Sequence, residues 1–258
     1  MSAVLAALFV LGLVLGSFAN VLIHRLPRRE SIVFPGSRCP RCGHPIPWYQ
    51  NVPVLSWLGL RGRCAFCAGR ISIRYPLVEL AMGVLFLLCG LRWRTPADTA
   101  AACLFVFLCL PLGVIDLEHQ ILPDRLTFPG IVAGLACSPF VGWTTPLQSL
   151  EGALAGAAIP SALIGVYALF GVDAMGWGDV KLLAMTGAFL GWKGLLLTLL
   201  WGAVLGTVLG GSYLLLTRRS RRTPLPFGTF LAAAAAAALF VQGPVWTWYL
   251  GLMTASGP

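Results

Sequence analysis

Long apolar runs separated by short polar segments dominate this chain. The first run covers residues 2 to about 23, which is enough to cross a bilayer, since about 20 helical residues span the hydrocarbon. Seven more runs follow, at about residues 76–91, 100–115, 126–142, 150–170, 179–190, 195–216 and from 228 onward. The pattern predicts an all-α polytopic membrane protein with about eight transmembrane helices.

The composition agrees with this prediction. Of the 258 residues, 58% are hydrophobic and 10% are charged, and the mean hydropathy is +0.84, which leaves too little polar surface for a soluble globule. The first run lacks a small-residue cleavage site, so we expect a retained helix and not a removed signal peptide. The net charge of +9 does not indicate nucleic acid binding, because the basic residues lie between apolar runs. We interpret them as topology signals and contacts with membrane lipid.

The largest polar segment lies between the first and second runs. Residues 25–74 carry nine arginines against the single acid Glu30. Basic segments stay on the cytoplasmic side of membranes, so we expect a small cytoplasmic domain here. If the eight runs cross the membrane in alternating directions, 15 of the 18 basic residues lie on the cytoplasmic side and both chain ends lie on the opposite side. The predicted organisation is a first helix over 1–24, a cytoplasmic domain over 25–75 and a membrane domain over 76–258.

Two Cys-x-x-Cys pairs stand in the polar segment with 21 residues between them: Cys39, Cys42, Cys64 and Cys67. Four thiolates bind zinc tetrahedrally, and such closed sites are structural. The gap is slightly longer than is usual for these sites, which a loop can absorb. Redox disulfides are the alternative, and a cytoplasmic location disfavours them. The other four cysteines lie in apolar runs and are expected to be packing residues.

Two of the nine acids stand at the ends of apolar runs. Asp116 closes the third run, and Asp179 opens the sixth within Gly176-Trp-Gly-Asp179. The third run is predicted to end at the cytoplasmic side and the sixth to begin there. We therefore expect both carboxylates at the cytoplasmic boundary, although 63 residues separate them. Acids at such positions are costly and mark functional sites.

Two adjacent carboxylates can hydrolyse a peptide bond without a metal or a covalent intermediate. They share one proton, so the ionised acid activates water while the neutral acid protonates the substrate. The three histidines, His24, His44 and His119, show no arrangement that indicates a serine or cysteine protease. Glycines beside Asp179 would let an extended substrate approach closely. The spacing leaves an alternative open, in which Asp179 only caps a helix and Asp116 is a solvated helix end.

Other polar residues near the predicted boundaries have ordinary structural interpretations. Lys181 fits an interfacial lysine better than a salt-bridge partner. Asp124 fits a helix cap, and Glu79 fits a first-turn acid of a helix opened by Pro76. Caps, interfacial contacts or loop positions are expected for Asn20, Glu118 and Asp173.

Several motifs occur in a fixed order along the chain. They are Gly16-Ser-Phe-Ala-Asn-Val-Leu-Ile-His-Arg-Leu-Pro27, the two cysteine pairs, Arg74-Tyr-Pro-Leu-Val-Glu79, Ile115-Asp116, Leu122-Pro-Asp124, Gly176-Trp-Gly-Asp-Val-Lys-Leu182 and Pro226-Phe-Gly228. In this order they resemble the type IV prepilin peptidases, also called prepilin leader peptidase/N-methyltransferases. Two departures are Trp177, where methionine or a smaller residue is frequent, and Thr229, where proline is common.

The resemblance implies an aspartyl endopeptidase of the bacterial inner membrane. Such an enzyme removes the basic leader from type IV prepilins or pseudopilins, after a glycine and on the cytoplasmic side. The resemblance implies that Asp116 and Asp179 are catalytic. Residues expected to support the active-site loop are Gly176, Gly178, Lys181 and Asp124.

The resemblance also implies a second activity, N-methylation of the new N-terminal residue with S-adenosylmethionine. No Gly-x-Gly-x-x-Gly motif after a strand indicates a Rossmann-type cofactor site, so this expectation rests on the resemblance. The family's cysteine domain is associated with methyl transfer. Glu79 is the candidate residue for this half, because a carboxylate near the membrane boundary and the zinc domain could hold or deprotonate the substrate amine.

Two alternatives come from other functional classes. In the first, a transporter or channel uses Asp116 and Asp179 to bind a proton or cation. In the second, the zinc domain is a scaffold that recruits cytoplasmic partners.

Overall fold

The computed structural model describes residues 2–171, 175–217 and 225–255. The predicted loop position of Asp173 and the predicted cytoplasmic anchor lie outside these residues, the anchor being Arg218, Arg219, Arg221 and Arg222. Within the described ranges the chain has helices and no β-strand, which confirms the all-α prediction.

Nine α-helices follow one another in the described chain. They are α1 (Ser2–Arg25), α2 (Leu55–Gly59), α3 (Arg74–Arg92), α4 (Pro96–His119), α5 (Asp124–Cys137), α6 (Pro146–Ala168), α7 (Trp177–Leu205), α8 (Gly211–Thr217) and α9 (Phe227–Ala255). Short 3-10 helices occupy Trp48–Gln50 and Ser138–Phe140, and a π-helical turn at Gly206–Gly210 joins α7 to α8. Among the described residues, six helical stretches are long and apolar enough to cross a membrane: α1, α3, α4, α6, α9 and the continuous Trp177–Thr217.

Helix α7 consists of two antiparallel arms that meet at Gly191. This glycine leaves the helical conformation, with φ 68° and ψ −177°. Asp179 in the first arm and Gly206 after the second arm both lie beside the first turn of α9. Gly194, just after the bend, instead contacts Gln242, four turns further along α9. The chain therefore reverses at Gly191, where its positive φ suits glycine.

The two arms of α7 correspond to the predicted sixth and seventh runs, and the 14-residue α5 corresponds to the fourth. The described helices thus correspond to the eight predicted apolar runs, although the 14-residue α5 is not among the six stretches long enough to cross a membrane. Helix α5 ends at Cys137, earlier than predicted, and a 3-10 helix follows. Pro139 explains this end, because proline has no N–H to continue the α-helical ladder.

The chain forms two compact units, Met1–Pro111 and Leu112–Pro258. In the first unit, α1 packs along α3 through glycines. A Cβ on Gly16 would lie 2.6 Å from the Cα of Glu79, and one on Gly12 would lie 2.7 Å from the carbonyl oxygen of Met82. Small residues of this kind let membrane helices approach backbone to backbone.

In the second unit, α7 packs against α5, α6 and α9. Gly187 of α7 faces Gly152 of α6 so closely that a Cβ on Gly187 would lie 2.0 Å from the Gly152 carbonyl oxygen. The alanine run of α9 supplies the fully buried Ala234, Ala235 and Ala238. These small residues allow α9 and both arms of α7 to approach, and this packing positions the first turns of α7 and α9.

Candidate active site and metal centre

Asp116 and Asp179 occupy opposite kinds of helix end in the second unit. Asp116 lies in the last turn of α4, and Asp179 lies in the first turn of α7. Both are buried, with 5% and 8% of their surfaces exposed. The N-cap of α7 is Gly176, and its backbone N–H hydrogen-bonds the carboxylate of Asp179, so Asp179 does cap this helix end. It is more than a cap, because the carboxylate of Asp116 lies beside it.

The two carboxylates meet at Gly228, the second residue of α9. A Cβ built on Gly228 would lie 3.0 Å from Oδ2 of Asp116 and 3.0 Å from Oδ1 of Asp179. Because both oxygens are equally far from one point, they are separated by no more than twice that distance. A single water molecule can contact both oxygens across such a gap. The tertiary structure thus brings together two acids that are 63 residues apart in sequence.

Thr229 holds the carboxylate of Asp116. Its backbone N–H donates to Oδ2 of Asp116 over 2.7 Å. Its hydroxyl lies 3.1 Å from the same oxygen and 2.9 Å from the carbonyl oxygen of Gly113. Asp116 is therefore buried and hydrogen-bonded, which rules out the alternative of a solvated helix end.

Two helix N-termini face the acid pair. Asp116 accepts a backbone N–H from the first turn of α9, and Asp179 belongs to the first turn of α7. The positive end of a helix dipole stabilises negative charge nearby. Two carboxylates this close cannot both ionise cheaply, so the helix ends favour the state in which one is charged and the other holds a proton.

The glycines of the predicted active-site loop lie against the site. A Cβ on Gly176 would stand 3.6 Å from Oδ2 of Asp179, and one on Gly178 would stand 3.0 Å from the Cβ of Leu122. A side chain at Gly178 would therefore press on Leu122, which immediately precedes Pro123 and α5. The absence of side chains keeps the backbone before Asp179 close to its neighbours.

Lys181 and Asp124 form an ion pair between the second turn of α7 and the first turn of α5. The ammonium of Lys181 also lies 5.4 Å from the centre of the Phe128 ring. The sequence favoured an isolated interfacial lysine for Lys181 and a helix cap for Asp124, and both interpretations are wrong. Asp124 is the first residue of α5 and its side chain does not cap the helix, since the N-cap is Pro123. The pair ties α5 to α7 near Asp179.

In the first unit, the four cysteines predicted to bind metal form one cluster. The sulfur atoms of Cys39, Cys42, Cys64 and Cys67 all lie within 4.8 Å of one another. Those of Cys39 and Cys67 are 3.9 Å apart. A tetrahedral zinc site with Zn–S bonds of about 2.3 Å has S–S edges of about 3.8 Å, so the cluster has the donor set and the size that zinc requires.

Each cysteine pair sits in the same kind of turn. The N–H of Gly43 donates to the carbonyl of Cys39, and the N–H of Ala68 donates to the carbonyl of Cys64, both over 2.9 Å. Gly43 and Ala68 both have positive φ, at 70° and 54°. The backbone N–H of Cys42 points at the Cys39 sulfur, and this donor, together with hydrogen bonds from the Arg41 N–H and the neighbouring thiols, lowers the pKa of Cys39 to about 6 against the effect of burial. Such donors stabilise the thiolate that a metal needs.

Glu79 lies in the second turn of α3, because the helix already begins at Arg74. Its interpretation as a first-turn acid is therefore wrong. Glu79 is 7% exposed, and its Oε2 accepts the backbone N–H of Val54 over 2.7 Å. The carboxylate thus contacts the segment that also carries the four cysteines.

Sequence reasoning missed Thr229 and Val54 as partners of candidate site residues. In the sequence, Thr229 is marked only as a departure from a common proline. Its position directly after the Pro226-Phe-Gly228 motif is the one sequence feature that indicates a place near the site. No sequence signal indicates Val54, because its backbone N–H and not its side chain makes the contact.

Two family profiles match this chain. One, described as the bacterial peptidase A24 N-terminal domain, matches residues 10–93. The other, described as the type IV leader peptidase family, matches residues 103–211. Between them they include both carboxylates and all four clustered cysteines.

Proteins named prepilin leader peptidase/N-methyltransferase are similar to most of the chain. The one from Myxococcus xanthus (strain DK1622) is 47% identical over 83% of this chain, and the chain spans 64% of that relative. The one from Stutzerimonas stutzeri is 42% identical, covering 96% of this chain and 93% of the relative. The one from Aeromonas salmonicida (strain A449) is 37% identical, covering 94% and 92%. No solved structure matches.

Proposed function

This chain belongs to the type IV leader peptidase family, and from that premise we propose that it is an aspartyl endopeptidase of the membrane. Its substrates are type IV prepilins or pseudopilins, from which it removes the basic leader after a glycine. The observation that carries this proposal is the meeting of two buried carboxylates at Gly228. Relatives aligned over more than nine tenths of their length carry the name of this activity.

Hydrolysis follows from one proton shared between Asp116 and Asp179. The ionised carboxylate takes a proton from water, and the water oxygen bonds to the carbonyl carbon of the scissile peptide. The protonated carboxyl gives its proton to the substrate, and the C–N bond then breaks to leave a leader carboxylate and a new amine. The pair ends with one proton again, so it is ready for the next substrate.

The surroundings of the pair suit this chemistry. The first turns of α7 and α9 stabilise the ionised member, and Thr229 holds Asp116 in place. Gly228 leaves room between the carboxylates where a side chain would stand. A peptide backbone can then reach both acids.

The four-cysteine cluster would hold zinc through Cys39, Cys42, Cys64 and Cys67. Closed four-cysteine sites have no open position for substrate, so the metal folds the segment between α1 and α3 and takes no part in peptide hydrolysis.

The second proposed activity is N-methylation of the new terminal amine, which the relatives' names include. S-adenosylmethionine would supply the methyl group as an electrophile. Glu79 is the proposed residue for this half, because it is the buried carboxylate of the first unit that contacts the cysteine-bearing segment. An amine must be unprotonated to accept a methyl group, and a carboxylate can hold it and take its proton.

The distribution of basic residues supports an orientation with the arginine-rich segment in the cytoplasm of a bacterial inner membrane. The partners are then pilin-like precursors and membrane lipid. Neither the family descriptions nor the names of the relatives favour the transporter or scaffold alternative.

Asn substitutions test the peptidase assignment directly. Purified Asp116→Asn and Asp179→Asn should each leave a leader-bearing pilin precursor uncut, as measured by mass spectrometry. Each variant keeps only one carboxyl group, so it cannot hold an ionised and a protonated acid side by side. Methylation of an already mature substrate should survive in both. Asp98→Asn, at the half-buried first turn of α4 in the other compact unit, is the matched control and should cleave normally. Cleavage by either active-site variant at the native rate would refute the assignment.

A further inference from the structure

The first unit contains a cavity of about 160 Å³ between α1, α3 and the cysteine-bearing segment. Apolar side chains form much of its wall, including Val21, Trp57, Leu60 and Ile71. A protein cavity of about 150 Å³ accommodates a benzene ring, so this one has room for one amino-acid side chain or a group of that size. Cys39 and Cys64 of the metal cluster also line it.

Glu79 is the acid that lines this cavity, and it is buried at the contact between α1 and α3. The hydroxyl of Ser17 and the backbone N–H of Val54 hydrogen-bond its carboxylate. No cationic side chain forms an ion pair with Glu79 within the described residues. A buried carboxylate is costly without a counter-charge, so the cavity lacks a positively charged group that its chemistry would favour.

Asn20 adds a second acceptor to the same cavity. Its amide nitrogen donates to the carbonyl oxygens of Gly16 and Tyr75, over 3.3 Å and 3.0 Å. These bonds fix the orientation of the amide, so that Oδ1 is the atom of the side chain left to accept a hydrogen bond. That oxygen is buried and has no hydrogen-bond partner in the described part of the chain, and Asn20 is 3% exposed. Two buried acceptors, the Glu79 carboxylate and Oδ1 of Asn20, therefore line the same cavity.

The cations that line the cavity are committed elsewhere or exposed. Arg25 donates to the backbone carbonyls of Ser31, Pro35 and Gly36. His24 contacts the guanidinium of Arg28. Arg38 is exposed. None of them forms an ion pair with Glu79, so a cationic ligand in the cavity would supply the counter-charge that the carboxylate lacks.

The segment that covers Glu79 is conformationally strained at Val54. This residue has φ 62° and ψ −50°, and the N–H of Leu55 donates to the carbonyl of Pro53 over 2.6 Å, which closes a tight three-residue turn. Positive φ is costly for a β-branched residue. The bond from Val54 to Glu79 helps to hold this turn, and strain of this kind accompanies ligand-clamping segments.

We propose that this cavity binds a primary ammonium group, with Glu79 as its counter-ion and Asn20 as a second acceptor. A primary ammonium carries three donors and one positive charge, which is the complement of the acceptors found here. Two molecules of the proposed methyl transfer carry this group: the N-terminal residue left by cleavage, and the amino-acid end of S-adenosylmethionine. The inference rests on the proposed methyltransferase function and specifies where one of its substrates binds.

Binding measurements on the full-length protein in detergent distinguish the two sources. One probe is a short synthetic peptide with an apolar first residue and a free amine, compared with the same peptide N-acetylated. The other probe is S-adenosylhomocysteine, which keeps the amino-acid end but lacks the methyl group. Each is titrated calorimetrically into the wild type, Glu79→Gln and Glu151→Gln, the last being an exposed glutamate on α6 that serves as the matched control.

Glu79→Gln should weaken binding of one ammonium probe by tenfold or more, because it removes the counter-charge and a charge-assisted hydrogen bond. If the peptide is the ligand, acetylation should weaken wild-type binding to a similar degree and should have little effect in Glu79→Gln. If S-adenosylhomocysteine alone loses affinity, the methyl donor is the ligand. Glutamine still accepts the Val54 N–H, so metal content and leader cleavage should stay at wild-type levels.

Equal affinity of the wild type and Glu79→Gln for both probes would overturn the inference, even in an enzyme that methylates its substrate. An enzyme without methyltransferase activity that still binds an ammonium probe through Glu79 would refute the proposed methyl transfer and leave the binding site standing. Failure of the wild type to bind either probe would also overturn the inference.

Discussion

The backbone N–H of Thr229 donates to Oδ2 of Asp116 over 2.7 Å, so the first turn of α9 holds one member of the acid pair. Proline is common at this position in the family that the motifs resemble, and proline has no N–H to donate. Thr229 therefore gives this chain a hydrogen bond that the common residue does not supply. Its hydroxyl adds a link between Asp116 and the Gly113 carbonyl.

Thr229→Val should lower kcat for leader cleavage about tenfold while KM stays within about twofold, because valine keeps the shape and the N–H but loses a hydroxyl bond to a charged group. Thr229→Ser should restore the wild-type rate. Thr247→Val is the control, since the Thr247 hydroxyl bonds only to the exposed backbone of the same helix. A wild-type kcat in Thr229→Val would mean that the backbone N–H alone positions Asp116.

Gly228→Ala should abolish cleavage, with a loss of at least about a hundredfold in kcat, because a displaced reacting group costs that much. The new Cβ would lie 2.9 Å from Cγ of Asp116 and 3.0 Å from an oxygen of each carboxylate, so the acids must separate. Gly251→Ala in the same helix meets no atom within 4 Å and should cleave normally. Steady-state assays of both variants check this. Full activity of Gly228→Ala would contradict the arrangement of the pair.

Cys39→Ser or Cys64→Ser should reduce bound zinc and unfold the segment between α1 and α3, because the four sulfurs form one closed cluster. Methylation should fall further than cleavage, since the Asp116–Asp179 pair belongs to the other compact unit. Elemental analysis and separate assays of the two activities measure this. Cys137→Ser, outside the cluster, should keep its zinc. Unchanged metal content in the Cys39 variant would reject the metal site.

The two cysteine turns predict opposite effects of matched substitutions. Gly43→Ala should weaken zinc binding by about fivefold, because an L side chain at positive φ costs about 1 kcal/mol and folding is coupled to metal binding. Ala68→Gly should strengthen binding to a similar degree by removing the same strain at φ 54°. Competition with a chromophoric chelator measures both. Parallel changes in the two variants would contradict the equivalence of the turns.

Sequence periodicity predicted the helices well, because a chain in a bilayer must satisfy its backbone hydrogen bonds within each span. The errors of the prediction concern single helix ends and single side-chain partners. It placed the start of α3 two residues late and therefore assigned Glu79 to the first turn of the helix. It also left Lys181 unpaired, since the approach of α5 that brings Asp124 within reach is a packing relationship and not a sequence pattern.

The amino-acid sequence by itself determined the candidate site residues. They are two acids at the ends of apolar runs, where a charge is costly, and two regularly spaced cysteine pairs in a basic segment. Only the tertiary structure decided their partners. Glycine and alanine contacts bring the first turns of α7 and α9 to the end of α4, so Asp116, Asp179 and Gly228 converge. The backbone donors of Thr229 and Val54 carry no side-chain signature, so no sequence pattern could have indicated them.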